Sequence, residues 1–133
     1  MSDPERLADI VTTAREAEQR YVRTRDRAAL DCAAAAWLRI LEHSEFSSAP
    51  ERVRLSALNH AGSVLLLRYW ARAGVDDLNR AVELWEQAVK ATPPDSPDLP
   101  EYLSNMGAGL STRFSRTGWR LTWRKGFGSF DRR

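Results

Sequence analysis

The stretch DDLNRAVELW, residues 76–85, decides the fold because it repeats AALDCAAAAW, residues 28–37, at an offset of 48. Small side chains recur where two helices would cross closely, and a tryptophan recurs where it would fill the space beside the next helix pair. The matched positions are Leu30 with Leu78, Ala33 with Ala81 and Trp37 with Trp85. Internal similarity at such a period indicates a repeat protein, in which each helical hairpin buries its apolar face against its neighbours.

A second internal similarity relates YLSNMGAGLSTRF, residues 102–114, to ALNHAGSVLLLRY, residues 57–69, at an offset of 45. It pairs Leu58 with Leu103, Gly62 with Gly107, Leu65 with Leu110, Arg68 with Arg113 and Tyr69 with Phe114. Together the two similarities predict that the hairpins pack through small and aromatic side chains. The predicted packing residues are Trp37, Gly62, Ala81, Trp85, Ala88 and Gly107.

Five segments carry apolar residues at the three- and four-residue spacing of an amphipathic helix, and no segment reads as a strand. Asp3 and Pro4 provide a cap and a first-turn proline for the first helix, and Ser96 and Pro97 do so for the fifth. The other helices are predicted at about 27–42, 50–71 and 75–91. We therefore predict an all-α fold of about five helices, stacked as antiparallel hairpins over residues 1–118.

Part of this pattern resembles a known family. Ala81, Trp85, Ala88 and Pro93 follow the small, aromatic, small, proline order of the second half of a tetratricopeptide repeat (TPR), and Met106–Gly107 resembles the apolar–glycine pair of its first helix. The resemblance covers about residues 20–118 and implies a short TPR-like α-solenoid. The period is longer than the common one by about two helical turns, so armadillo-type and HEAT-type helix pairs are alternatives.

The wider arrangement is similar to the long-period repeats of actinobacterial proteins. Such repeats often stand in front of caspase-like CHAT protease domains or nucleotide-binding signalling domains. The resemblance therefore implies a noncatalytic module that binds proteins, and the CHAT catalytic part itself is absent from the sequence.

The residues that could carry chemistry form no catalytic or metal-binding pattern. Cys32 is the only cysteine, and His43 and His60 are the only histidines, on different predicted segments. They do not assemble a cysteine–histidine nucleophile or a zinc site, and the glycines are scattered without a phosphate-binding loop. We expect Cys32 to be a small buried side chain, and we expect no enzymatic activity, no cofactor and no small-molecule substrate.

In the resembled family, the first helix of each pair lines a concave groove, which implies candidate partner-binding positions. They are His60, Arg68, Asn105 and Arg113. These side chains offer several hydrogen-bond donors for the backbone or the carboxylate of a peptide. The alternative is that they lie on a solvated helix surface and bind no ligand.

The C-terminal segment differs from the body in charge. Residues 1–112 contain 13 Lys and Arg against 17 Asp and Glu, whereas residues 113–133 contain 7 against 1. Trp119, Trp123 and Arg124 belong to a basic aromatic tail, residues 119–133, with the composition of a membrane-surface helix or a nucleic-acid stacking platform. Because the body lacks a uniformly basic face, we favour a protein or peptide partner over nucleic acid or membrane.

Half a hairpin is missing after Gly118, and two hypotheses address this. The fifth helix would expose Met106, Leu110 and Phe114, which favours self-association, or else a truncated remnant without an independent role. Alternatively, a reading frame starting at the third base of the Gly118 codon turns each tryptophan codon into one for Leu, Val or Met. The tail is then a frameshifted next repeat, and the chain is the front of a longer repeat protein; otherwise we expect the tail to be disordered.

Two features of the sequence bear on its compartment. No apolar run approaches the roughly 20 residues that a membrane span requires. The N-terminus, MSDPERLADI, lacks the basic flank and apolar stretch of a signal peptide. We therefore expect a cytoplasmic protein that serves as a noncatalytic protein-binding scaffold.

Overall fold

The chain folds into five α-helices in a computed structural model that describes residues 6–116. The helices are α1 (Leu7–Thr24), α2 (Arg27–Glu42), α3 (Glu51–Arg72), α4 (Val75–Ala91) and α5 (Leu99–Arg116). No strand occurs between residues 6 and 116. The predicted all-α fold is confirmed, and the predicted bounds of the second and fourth helices agree with α2 and α4.

Some predictions fall outside the described residues. These are the Asp3 cap and Pro4 start of the first helix, and the tail positions Trp119, Trp123 and Arg124. Within the described range, Asp26 accepts a hydrogen bond from the Ala28 amide and so caps α2.

Short turns fold the helices into antiparallel hairpins. Residues 25–26 join α1 to α2, and residues 73–74 join α3 to α4, whereas the longer connectors 43–50 and 92–98 link one hairpin to the next. Within the hairpins α1 packs on α2 and α3 on α4; between them α2 packs on α3 and α4 on α5. The five helices therefore form a stack of two complete hairpins followed by α5.

The turns repeat at the same offset of 48 as the two tryptophans. Arg25 and Ala73 are equivalent at this offset, and they end α1 and α3 in the left-handed conformation with φ of 60° and 59°. Their amides donate to the carbonyl oxygens of Tyr21 and Tyr69, which are equivalent in the same way. Since the first residues of α3 and α5 also match at this offset, the same period extends to the last helix.

The core runs along the surfaces where the hairpins meet. Its largest members that are almost completely buried are Ile10, Leu30, Ile40, Val64, Leu65, Leu78, Val82, Leu84 and Trp85. Cys32 was predicted to be buried, but its side chain is exposed, because α2 turns Ala29, Ala33 and Ala36 inward instead. Alanines on this inner face allow α2 to approach its neighbours closely.

Trp85 on α4 lies between two glycines from different helices. A Cβ atom added to Gly62 on α3 would lie 2.8 Å from Cε2 of the indole, and one added to Gly109 on α5 would lie 2.9 Å from Cζ3. No real Cβ atom tolerates such distances, so both helices approach the ring where they have no side chain. The ring thereby joins α3, α4 and α5.

The predicted role of Gly107 is not the one that the structure shows. Nothing lies within 4 Å of a Cβ added there, and the residue is exposed. The offset of 45 matched Gly107 with Gly62 by residue identity, whereas the offset of 48 places Gly109 opposite Ala61 and Leu110 opposite Gly62. The other predicted packing residues are all buried; they are Trp37, Gly62, Ala81, Trp85 and Ala88.

Replacing Gly62 with alanine should destabilise the protein. The added methyl group would collide with Trp85, so the indole or the α3 backbone would have to move. We expect the free energy of unfolding to fall by about 1–3 kcal/mol, measured by urea denaturation.

Gly107→Ala is the matched control, because it is the same substitution on a helix surface with open space around it. Removing a glycine from inside a helix should raise the free energy of unfolding by about 0.5–1 kcal/mol. If Gly62→Ala were as stable as Gly107→Ala, the close approach of α3 to Trp85 would be incorrect.

Candidate functional site

Three polar side chains close the first junction, where the α1–α2 hairpin meets α3. Trp37 on α2 donates its indole Nε1–H to Oε1 of Glu18 on α1 over 3.0 Å. Nδ1 of His60 on α3 lies 3.1 Å from the same oxygen. The imidazole stacks on the Trp37 ring, with centroids 4.8 Å apart and planes inclined by 7°. One carboxylate therefore joins three helices.

The second junction, where the α3–α4 hairpin meets α5, has the same plan with different groups. Trp85 donates its indole Nε1–H to Oδ1 of Asn59 over 3.0 Å, and Asn105 donates its Nδ2–H to the same oxygen over 2.8 Å. Asn59 in turn donates from Nδ2 to Oε2 of Glu101, 3.3 Å away. Asn59 is buried, so these bonds supply the partners that its amide would otherwise find in water.

Both junctions therefore use one acceptor for two donors. The acceptor lies on the first helix of a hairpin, one donor is the tryptophan of the second helix, and the other donor comes from the first helix of the next hairpin. Trp37 and Trp85 match at the offset of 48, but the acceptors Glu18 and Asn59 are separated by only 41 positions. Equivalent tryptophans thus bind acceptors at positions that are not equivalent in the repeat.

A charged cluster joins α2, α3 and α4 beside these junctions. Arg68 donates from Nε and Nη2 to the two carboxylate oxygens of Asp77, over 2.8 and 2.9 Å. Asp31 on α2 lies 3.9 Å from Nη1 of Arg68 and also binds Arg72. The hydrogen bond from Arg68 to Asp77 and the charges of both carboxylates hold the pKa of Arg68 above its ordinary value, although burial opposes them.

The four predicted groove residues all bind neighbouring helices. His60 and Asn105 belong to the two junctions, Arg68 to the charged cluster, and Arg113 on α5 donates to Oδ1 of Asn79 on α4 over 3.4 Å. Their donors are engaged within the stack instead of converging on one open surface. The four residues therefore lie at separate contacts in the stack, and their role in binding a partner stays a prediction.

Glu18 and Asn59 were not among the predicted site residues, although their positions in the sequence carry a signal. Each lies on a helix stripe of apolar or small residues; Asn59 follows Leu58 and precedes Gly62, and Glu18 follows Ala17. A polar side chain inside such a stripe needs a partner. That signal could have marked both as junction residues.

The first junction also contains an open space, which we call the α1–α3 cleft. Its walls are Val11 and Arg15 from α1 and Arg52, Val53 and Ala57 from α3, and Trp37 forms the floor. This part has a volume of about 340 Å³ and continues, past Val11 and Val53, into a space of about 530 Å³ beside the connector 43–50. The Glu18–His60 contact closes the cleft one turn further along both helices.

A second open surface is the apolar face of α5. Leu103, Leu110 and Phe114 are 44, 37 and 39 % exposed, and Met106 is half-buried against the core. One repeat earlier, the corresponding residues of α3 are buried; they are Leu55, Leu58, Gly62 and Leu66. The predicted exposure of the last helix is therefore observed for Leu110 and Phe114.

Residues 6–116 were compared with the requirements of a metal site and of a membrane-spanning helix, and they meet neither. No group of three or more His, Cys, Asp or Glu side chains is placed to hold a metal ion there. None of the described helices combines the length and apolar character that crossing a membrane requires.

Removing the shared acceptor should destabilise the second junction. In Asn59→Ala the buried Trp85 N–H and the Asn105 amide lose their acceptor, and we expect the free energy of unfolding to fall by about 1–3 kcal/mol. Trp85→Phe should cost less in the Asn59→Ala background than in the wild type, by at least about 0.5 kcal/mol, since the bond is already lost. Urea denaturation of the four proteins measures this; strict additivity would contradict a shared acceptor.

Asp77→Asn should weaken the charged cluster, whereas Asp76→Asn should not. Both aspartates lie in the first turn of α4, but only Asp77 holds Arg68 through two hydrogen bonds. We expect a loss of about 1–2 kcal/mol for Asp77→Asn, and less than about 0.5 kcal/mol for Asp76→Asn, which removes only a favourable charge at the helix start. If thermal or urea unfolding showed the same loss of unfolding free energy for both variants, the Arg68–Asp77 pair would make no specific contribution to stability.

Comparisons with known proteins assign this chain to no family. No protein-family model, no curated protein and no solved structure matches the chain.

Proposed function

We propose that the chain is a noncatalytic protein-interaction module, a short TPR-like stack of helical hairpins that binds another protein through the open face of α5. The observation that carries this proposal is the apolar face formed by Leu103, Leu110 and Phe114. In the preceding repeat the corresponding residues of α3 are buried, and α3 packs on α4. Exposed apolar patches of this kind mark interaction surfaces.

A second copy of the chain is the partner that this face fits most directly. Two α5 helices related by a twofold axis present the same apolar residues to each other, so each supplies the cover that the other lacks. The second junction behind α5 joins this helix to α3 and α4 through hydrogen bonds of Trp85 and Asn105 to Asn59. A preorganised face loses less conformational entropy on binding than a mobile one does.

The proposal predicts reversible self-association of the full chain in the micromolar range. The double variant Leu110→Ser/Phe114→Ser should be monomeric at the same concentrations, because serine removes the apolar area that drives association. Sedimentation velocity measures the oligomeric state, and far-UV circular dichroism checks that the variant keeps its helices.

Val22→Ser is the matched control, since Val22 is also an exposed apolar residue, 57 % accessible, but lies on α1 at the other end of the stack. It should associate like the wild type. A wild-type chain that stays monomeric, or a double variant that associates as strongly as the wild type, would overturn self-association through α5.

A further inference from the structure

The α1–α3 cleft differs from the corresponding place at the second junction. Residues 45 and 48–50 of the first connector correspond, at the offset of the repeat, to residues 93 and 96–98 of the second. The second junction also has an open space, of about 400 Å³, which is lined by the ring of Tyr102, by Arg52 and by the carboxylates of Glu51, Asp95 and Asp98. Burial, together with the charges of Asp98 and Glu101, raises the pKa of the Tyr102 hydroxyl. Both junctions thus have an open space beside the connector, but the charged groups around the two spaces differ in net sign.

The walls of the α1–α3 cleft are apolar, and its charged rim is basic. Val11, Val53 and the floor residue Trp37 provide apolar surface, and Leu7 and Pro50 extend it toward the connector. Among residues 6–116, the charged groups that line the space are Arg6, Arg15, Arg52 and Glu45. The rim therefore carries an excess of positive charge.

The rim arginines are not used by the fold. The arginines of the charged cluster bind carboxylates of neighbouring helices, as Arg68 binds Asp77. Arg15 and Arg52, by contrast, make no ion pair or side-chain hydrogen bond with any residue between 6 and 116. Arg15 lies on the α1 wall and Arg52 on the α3 wall, and a guanidinium group binds a carboxylate through charge-assisted hydrogen bonds.

We propose that the α1–α3 cleft binds a short segment of another protein whose apolar side chains flank one or more Asp or Glu residues. The apolar residues fill the space over Trp37, and the carboxylates bind Arg15 and Arg52. The basic C-terminal segment of this same chain, with 7 Lys and Arg against 1 acidic residue over 113–133, has the wrong charge for this rim. The inference rests on the proposed function only in treating the chain as a protein-binding module, and it concerns a different surface from α5.

Selection from a random peptide library against the full chain tests the chemistry of this site. We expect enrichment of peptides that combine Leu, Ile or Phe with Asp or Glu. In the NMR spectrum, the enriched peptide should shift the amide signals of residues 11, 53 and 57 more than those of α5. Enrichment of basic peptides, or no enrichment at all, would overturn the proposal.

Charge reversal then separates the rim from the rest of the surface. Arg15→Glu and Arg52→Glu should each weaken binding of the enriched acidic peptide by at least about tenfold. Arg27→Glu, a reversal at an exposed arginine in the first turn of α2, should leave it unchanged, and raising the salt concentration should weaken wild-type binding. Equal effects of all three substitutions would overturn the assignment to this cleft.

The α5 variant keeps the two proposals distinguishable. Leu110→Ser/Phe114→Ser should bind the peptide like the wild type, because the cleft lies at the other end of the stack. Peptide binding by a chain that never self-associates would contradict the proposed dimer and support the cleft. A chain that dimerises through α5 but enriches no acidic peptide would support the proposed dimer and contradict the proposed binding in the cleft.

Discussion

A buried indole N–H needs a hydrogen-bond acceptor, and the way in which this chain satisfies two of them determines how its hairpins stack. Trp37 and Trp85 each donate to a side chain on the partner helix of their own hairpin, and that acceptor also binds the next hairpin. Leaving such a donor unpaired would cost about 1–3 kcal/mol. The same acceptor therefore determines both how the tryptophan packs and where the following helix lies.

The helices and the period could be predicted because they depend on features that recur along the chain. Apolar spacing locates the helices, and the recurrence of tryptophan at Trp37 and Trp85 locates the hairpins. Residue identity alone was misleading for Gly107, since the glycine that contacts Trp85 is Gly109, on the side of α5 that faces α4. Gly107 and Gly109 are two residues apart, so they lie about 200° apart around the helix, a difference that repeat alignment by residue identity does not resolve.

The candidate surfaces were harder to predict, because they depend on which donors find partners in three dimensions. His60 and Asn105 resemble free groove residues in the sequence, but their partners lie 42 and 46 positions earlier, at Glu18 and Asn59. Within residues 6–116, open apolar surface remains on α5 and in the α1–α3 cleft. The exposure of α5 was predicted from the repeat pattern, whereas the cleft was not, because its walls come from helices that are distant in the sequence.

The turns within the hairpins have a mechanical consequence. Each consists of two residues, with Arg25 or Ala73 held in a single left-handed conformation, so a hairpin bends little about its own turn. The longer connector 43–50 sets no such tight turn between the hairpins, and the Glu18–His60 contact joins them at one end of the cleft. A segment bound in the cleft would press α1 and α3 apart on the side away from that contact, and would thereby change the angle between the two hairpins.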